Sequence, residues 1–312
     1  MKQRFYTQFI FTITAATALA TCIFFFFCKG LVWVKQDELG KMNYVIHDTT
    51  RYNCLFLGSS TTLVNINPAL FDSLTGAYSF NAGMVMMQVS EMNMLVPKYV
   101  NAHGAPKQIF IDCDEATLSR NMGVWNFPKY YPMINDKAIE ELAMLEPKLM
   151  WGKYLPAIAC IYFGEELKNL AITTLFYESQ KSDYNIPYRG FAGAKETPTK
   201  ELPVIETCFK GSERGWQLLE ETIKYCKLKN ITVNLVITPR YHYSLSKSSV
   251  HFLKRLKQFE VNYGVHFVDY SIDKRFQSRN LFLDRVHLTL SGADYFTEVL
   301  AKETLVEKSV EE

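Results

Sequence analysis

Two short stretches near opposite ends of the chain hold residues whose types and spacing suit nucleophilic chemistry at a serine. Gly58-Ser59-Ser60 follows the apolar run Cys54-Leu55-Phe56-Leu57, and Asp284-Arg285-Val286-His287 stands close to the other end. A serine hydroxyl is a feeble nucleophile until an imidazole takes its proton, and that imidazole must be held in one tautomer. Ser60 is the candidate nucleophile and His287 the candidate base. Asp284, three residues upstream on the same loop, is the candidate group to orient the other ring nitrogen. Attack on an acyl carbon also needs donors for the oxyanion. The backbone N–H groups of Ser60 and Gly83 are the candidates, since glycine lets the backbone approach closely. Each fragment has a blander reading: Gly-Ser-Ser after a strand is also a turn or helix cap, and an Asp/His pair before a helix is also a cap and a surface residue.

For these groups to meet, the chain between them must return both to one edge. An apolar tetrad stopped by glycine and two serines has the length and punctuation of a buried strand in a parallel sheet. Ser59 and Ser60 then lie at its carboxyl end, where open α/β sheets hold their ligands. Ala77–Phe80 is a second strand, ending in Asn81-Ala82-Gly83. Gln108–Ile111 is a third, closing on Asp112-Cys113-Asp114; Ile231–Ile237 is a fourth, stopped by Pro239, and Val265–Val268 a fifth. Helices are expected over 88–101, 212–229 and 247–263, with a last one opened by Ser291-Gly292 and running to about residue 303. This alternation implies a mostly parallel, doubly wound five-stranded sheet. Asp112 and Asp114 fall at the same edge, as ligands for a polar substrate group or as structural hydrogen-bonders. Arg240 and Tyr241 follow the fourth strand there and are candidates to line the pocket.

Residues 116–209 interrupt the rhythm with aromatics and seven of the chain's eleven prolines. Helices are expected near 136–151 and 157–177, in an insertion that packs beside the site as extra core, a lid, a groove or a docking surface.

Residues 5–28 carry no charged side chain and include Phe24-Phe25-Phe26-Phe27. At ~1.5 Å per residue this is roughly 36 Å of helix, enough to cross a ~30 Å hydrocarbon core. A signal peptide has a shorter apolar region and a small-residue cleavage site, whereas this run continues well past Ala18-Leu19-Ala20. The expected organisation is a cytoplasmic stub (1–7), a transmembrane anchor (8–30), a juxtamembrane linker (31–49) and an α/β domain (50–312). Basic residues flank the span on both sides, so their count does not orient it. A short basic N-tail tends to stay inside and long domains translocate regardless of charge. The α/β domain is therefore expected outside the cytoplasmic membrane.

The net charge is +2 with the signs interspersed, which excludes the basic stripe of a nucleic-acid surface. The seven cysteines show no C-x-x-C and no zinc-like Cys/His spacing, so no metal site or disulfide framework is expected, with a single Cys208–Cys226 bridge left open.

At these residues the chain resembles the SGNH/GDSL hydrolase superfamily. Gly58-Ser59-Ser60 is similar to its first block, in the G-S-S form of the DltD-like branch, which includes the D-alanyl transfer protein of teichoic acid synthesis and relatives of polysaccharide O-acetylation proteins. Asn81-Ala82-Gly83 resembles the second block, whose glycine donates to the oxyanion. Asp284-Arg285-Val286-His287-Leu288 followed by Ser291-Gly292-Ala293 resembles the last. The resemblance covers roughly 50–115 and 210–305 and implies a flavodoxin-like strand order, 2-1-3-4-5. It also implies Ser60 as nucleophile, His287 as base and Asp284 as its orienting acid, with Ser59 in the place of the commoner aspartate. The family's third block supplies a further asparagine to the oxyanion; here the strand ends Ile111-Asp112-Cys113-Asp114-Glu115, with no asparagine until Asn121. One donor fewer removes on the order of 3 kcal/mol of transition-state stabilisation.

The function this implies is ester hydrolysis or O-acyl transfer through an acyl-Ser60 intermediate, without cofactor, on a cell-envelope polysaccharide or its acyl donor, beside a membrane-bound O-acyltransferase. Two rivals remain open. One is an esterase of small or lipid esters; the other is a degenerate domain that binds glycan or scaffolds an acyltransferase complex.

Overall fold

A computed structural model describes residues 2–35, 37–47, 50–119, 123–137, 139–176, 187–193, 202–207 and 209–311. Asn121 and Cys208 lie outside them; the six described cysteines are all free thiols. The chain divides into two compact units, one of residues 1–43 with 126–185 and the other of 44–125 with 186–312.

The second unit holds the sheet. Its strands in chain order are β1 (Cys54–Leu57), β2 (Ser79–Asn81), β3 (Gln108–Asp112), β4 (Ile205–Thr207), β5 (Thr232–Ile237), β6 (Tyr243–Leu245) and β7 (His266–Asp269). Five of them form one all-parallel sheet in the order β2-β1-β3-β5-β7, while β4 and β6 pair separately as a parallel ladder. Taking the five in sequence, this is the 2-1-3-4-5 order expected above, which puts β1 at the point where the winding reverses.

Successive side chains of β1 alternate between the faces of the sheet. Cys54 and Phe56 enter a core built with Phe71, Phe110, Phe276 and Phe296. Phe71 is fully buried and meets Phe56 and Phe110 edge-on, with centroids 5.1 and 5.7 Å apart; such a ring contributes on the order of 3 kcal/mol. On this core lie the helices Ser60–Asn65, Pro68–Thr75 and Leu290–Glu311, while Val89–His103 and Glu213–Leu228 pack on each other elsewhere in the unit. In the first turn of the last long helix position 292 needs glycine, because a Cβ there would collide with the Leu281 carbonyl.

In the first unit the N-terminal helix runs over Lys2–Leu31, long and apolar enough to cross a membrane. Its last two turns are packed inside the unit: Phe24 meets Tyr131 and Phe163 with centroids 5.2 and 5.6 Å away. The Asn43 side chain donates to the carbonyls of Leu31 and Val34 at 2.7 and 2.9 Å, satisfying the end of the helix. The stretch expected as a linker is helical over Asp37–His47. The two long insertion helices expected from the sequence are instead broken into short pieces. The first is interrupted at Pro147, because proline removes a backbone donor and clashes with the preceding turn; the second breaks at Phe163-Gly164, where Phe163 is extended, and resumes as Glu165–Phe176.

Candidate active site

β1 ends at Leu57, and Gly58 turns the chain directly into the helix Ser60–Asn65. The turn needs glycine: a Cβ at 58 would strike the Thr62 hydroxyl and the Asp112 Cβ. Ser59 caps the helix, so Ser60 is its first residue and presents its hydroxyl, half-buried, at the carboxyl edge of the sheet.

The loop carrying His287 arrives at the same edge. Leu283 N–H donates to the His287 carbonyl at 2.8 Å, Tyr241 N–H donates to the Arg285 carbonyl at 2.9 Å, and the Arg279 guanidinium donates to the Phe282 and Leu283 carbonyls at 2.9 and 3.2 Å. Within this frame His287 Nε2 is 2.8 Å from Ser60 Oγ, and His287 Nδ1 is 2.7 Å from Asp284 Oδ2. Asp284 Oδ1 accepts the backbone N–H groups of Val286 and His287, both at 2.8 Å. Partial burial opposes the charge on Asp284, but the His287 ring and these two amides outweigh it and hold the carboxyl down at about 2. It is thus ionised at any ordinary pH. Its bond to Nδ1–H leaves Nε2 free to accept the serine proton, the tautomer that base catalysis needs.

One residue absent from the sequence reading joins the two halves. Asn65, fully buried at the far end of the nucleophile's helix, donates from Nδ2 to the Val286 carbonyl at 2.8 Å. Its Oδ1 accepts Leu288 N–H at 2.8 Å. The side chain therefore grips the backbone on both sides of His287 while its own helix carries Ser60.

Asn81 and Gly83 do different work from that expected. Asn81 Nδ2 donates to the Thr62 and Ile66 carbonyls at 2.7 and 2.9 Å, and its Oδ1 accepts Gly83 N–H at 3.0 Å. That N–H is committed to a side chain, and what glycine supplies at 83 is room, since a Cβ would sit 2.8 Å from Leu63 N. At the same edge the N–H of Ser60, as the first helical residue, has no acceptor within its own helix.

No family model and no curated protein matches this chain. Among solved structures it is similar to a G-D-S-L family protein described as lipolytic from Desulfitobacterium hafniense, at 8% identity and TM-score 0.42, over 80% of this chain and 98% of that one. It is also similar to an SGNH hydrolase from Slackia heliotrinireducens, at 12% identity and TM-score 0.40, over 81% and 98% of the two chains. A third, described as a platelet activating factor from Streptococcus pneumonia, is 12% identical with TM-score 0.39, over 85% and 90%. These likenesses are loose, and the chemistry is carried by the side chains.

Beneath the nucleophile's turn lies a buried ionic cluster. Asp112 and Asp114, open to a substrate or a structural role, and Arg240, a candidate to line the pocket, are each 2–3% exposed. Ser59 Oγ lies 3.3 Å from Asp114 Oδ2, Thr61 Oγ1 hydrogen-bonds to Asp112, and Thr62 Oγ1 lies 3.3 Å from Asp112 Oδ2. Arg240 approaches Asp114 to 3.5 Å and stacks on the Phe209 ring with its carbon 4.8 Å from the centroid. All three are held away from solvent and brace the first turn of the helix from below. Ser59 is a cap and a member of this brace.

Burial, then repulsion from Asp114, pushes the Asp112 carboxyl up to about 7, against the pull of the Thr61 hydroxyl and Arg240. The sign follows directly. Between the ordinary carboxyl range and pH 7 the folded chain keeps a proton that the unfolded chain has released, so this group's contribution is full at low pH and is lost as pH rises through 7. Asp112→Asn is therefore expected to gain stability relative to the natural chain as pH rises from 5 to 7, by at most about 1.4 kcal/mol per pH unit. Denaturant unfolding of both at several pH values in that window checks this; a difference that does not change with pH rejects it.

Proposed function

We propose that this chain is a serine esterase or O-acyltransferase that works through an acyl-Ser60 intermediate. The observation that carries the reading is the continuous relay from Ser60 Oγ through His287 to Asp284, at 2.8 and 2.7 Å. In this mechanism Ser60 Oγ attacks the acyl carbonyl while its proton passes to His287 Nε2. The oxyanion is met by the Ser60 N–H at the helix start. The imidazolium, stabilised by the Asp284 carboxylate, returns the proton to the departing alcohol, leaving acyl-Ser60. A water or an acceptor hydroxyl then gives its proton to His287 and attacks the acyl group, regenerating the serine.

The proposed substrates are acyl esters of a cell-envelope polysaccharide. Two things support this: the resemblance of the G-S-S turn and the D-x-x-H-L loop to envelope O-acylation proteins, and an N-terminal helix long and apolar enough to anchor the chain in a membrane. A membrane-bound O-acyltransferase is the proposed partner.

A fluorophosphonate probe reports on the nucleophile without knowledge of the substrate. Treatment of the full-length protein followed by peptide mapping is expected to place a single adduct on Ser60 and none on Ser59. A folded protein that takes up no probe would sink the enzyme reading in favour of a glycan-binding or scaffolding domain.

A further inference from the structure

The helix Lys2–Leu31 is bare along most of its length and clothed only at its end. Side chains of residues 2–23 are exposed or half-exposed. At ~1.5 Å per residue they cover roughly 33 Å, about the thickness of a bilayer's hydrocarbon core. From Phe24 onward the helix enters the body of its own unit. Phe27 meets Phe163 with centroids 5.5 Å apart, Leu31 is fully buried, and Gly30 lies so close to the Ala171 backbone that no Cβ would fit.

The elements wrapped around this end, Pro156–Ala159, Cys160–Tyr162 and Glu165–Phe176, also turn large apolar side chains outward. Ile161 is 72% exposed and Tyr154 67%, and Leu155 and Ile158 are exposed beside them. Phe176, also exposed, lies against Phe26 with centroids 6.1 Å apart, whereas Ala171 meets Gly30. The helix Glu165–Phe176 therefore advances toward the bare part of the anchor.

We infer that this collar, residues 151–176, is itself seated in the lipid surface at the end of the membrane span. The inference rests on Lys2–Leu31 crossing a bilayer and is independent of the esterase reading. Between Arg4 and Lys29 the helix carries no charge, so the hydrocarbon takes up this stretch and the Phe24–Leu31 end reaches its boundary. A body packed on Phe24–Leu31 is then held at the depth of the headgroups and outermost acyl carbons. Apolar side chains fit that depth as the exposed face of a soluble body does not. Lys153 over the Tyr154 ring, 5.7 Å from its centroid, is a basic and aromatic pair of the kind that sits at headgroup level. The same packing makes the helix part of the fold: without Phe24, Phe27 and Leu31 the collar loses its core.

The test uses the full-length protein in phosphatidylcholine vesicles doped with a phospholipid carrying a photoactivatable diazirine on its acyl chain. Peptide mapping after illumination is expected to find lipid adducts on residues 151–161 and on Phe176 as well as on residues 5–28. The double variant Ile158→Asp, Ile161→Asp is expected to lower the collar adducts about tenfold while leaving those on the anchor unchanged. Adducts confined to the N-terminal helix in the natural chain overturn the inference and leave the apolar collar to a protein partner. Collar adducts that the double variant leaves undiminished also overturn it.

Discussion

Changing Asp284 to asparagine is expected to slow phosphonylation of Ser60 by about 10⁴-fold while leaving its loop folded, the size of loss seen when the acid of such a triad becomes an amide. The two oxygens of Asp284 have separate duties. Oδ1 accepts the Val286 and His287 amides, and an asparagine oxygen keeps both bonds. Oδ2 accepts from His287 Nδ1, and there asparagine offers a donor instead. Nδ1 must then accept, the ring proton moves to Nε2, and Nε2 can no longer take the proton of Ser60. The imidazolium that forms during attack also loses its counter-charge. The measurement is the second-order rate of fluorophosphonate labelling, with unfolding followed in parallel. A rate within tenfold of the natural chain would mean that His287 is not the base or that Asp284 does not set its tautomer. Since Asp284 stays ionised down to about pH 2, an acid-side loss of labelling nearer neutrality comes from another group.

The sheet was legible because its strands announce themselves. Cys54–Leu57, Gln108–Asp112 and Thr232–Ile237 are apolar runs stopped by glycine, an acidic pair or proline, and a short strand that must be buried on both faces has few other compositions. β2 formed two residues later than expected, over Ser79–Asn81, since the register with β1 decides where pairing begins. The helix Ser60–Asn65 was not legible. Thr61, Thr62 and Val64 are β-branched and read poorly as helix, and it is the Ser59 cap and the hydroxyl contacts with Asp112 that hold the turn. β4 and β6 are three residues each and come from distant parts of the chain, so no local pattern marks them.

The same division runs through the site. Asp284 and His287 are three residues apart, and one turn of chain suffices to join them. Asp112 and Asp114 fitted either a substrate contact or structural hydrogen bonding, since charged residues are rarely fully buried; only the fold reveals Arg240, just beyond β5, arriving beside Asp114. Asn65 is the extreme case. Its partners lie more than 220 residues away, and in sequence it is one polar residue before Ile66-Asn67-Pro68.

Asn65 carries the second large effect. Asn65→Ala is expected to slow labelling of Ser60 by about 10²-fold, the loss that follows when a catalytic group drifts by about 1 Å. Ser60 sits at the start of a six-residue helix and Asn65 at its end, so one short rigid element holds the nucleophile directly and the base through the backbone flanking it. Without the amide, the Val286 carbonyl and the Leu288 N–H lose buried partners, which destabilises the chain by about 1–3 kcal/mol, and the His287 ring loses its fixed distance to Oγ. Asn65→Asp separates the two bonds: it keeps the acceptor for Leu288 N–H and sets a carboxylate oxygen against the Val286 carbonyl, so it is expected to label as slowly as alanine. Loss of stability alone cannot account for the pattern sought in a double-mutant cycle. If Asn65 acts only through His287, then Asn65→Ala adds nothing to the residual labelling of His287→Ala, because the group it positions is already gone. Full additivity of the two losses would show that Asn65 supports the Ser60 turn itself, and the positioning role would fall.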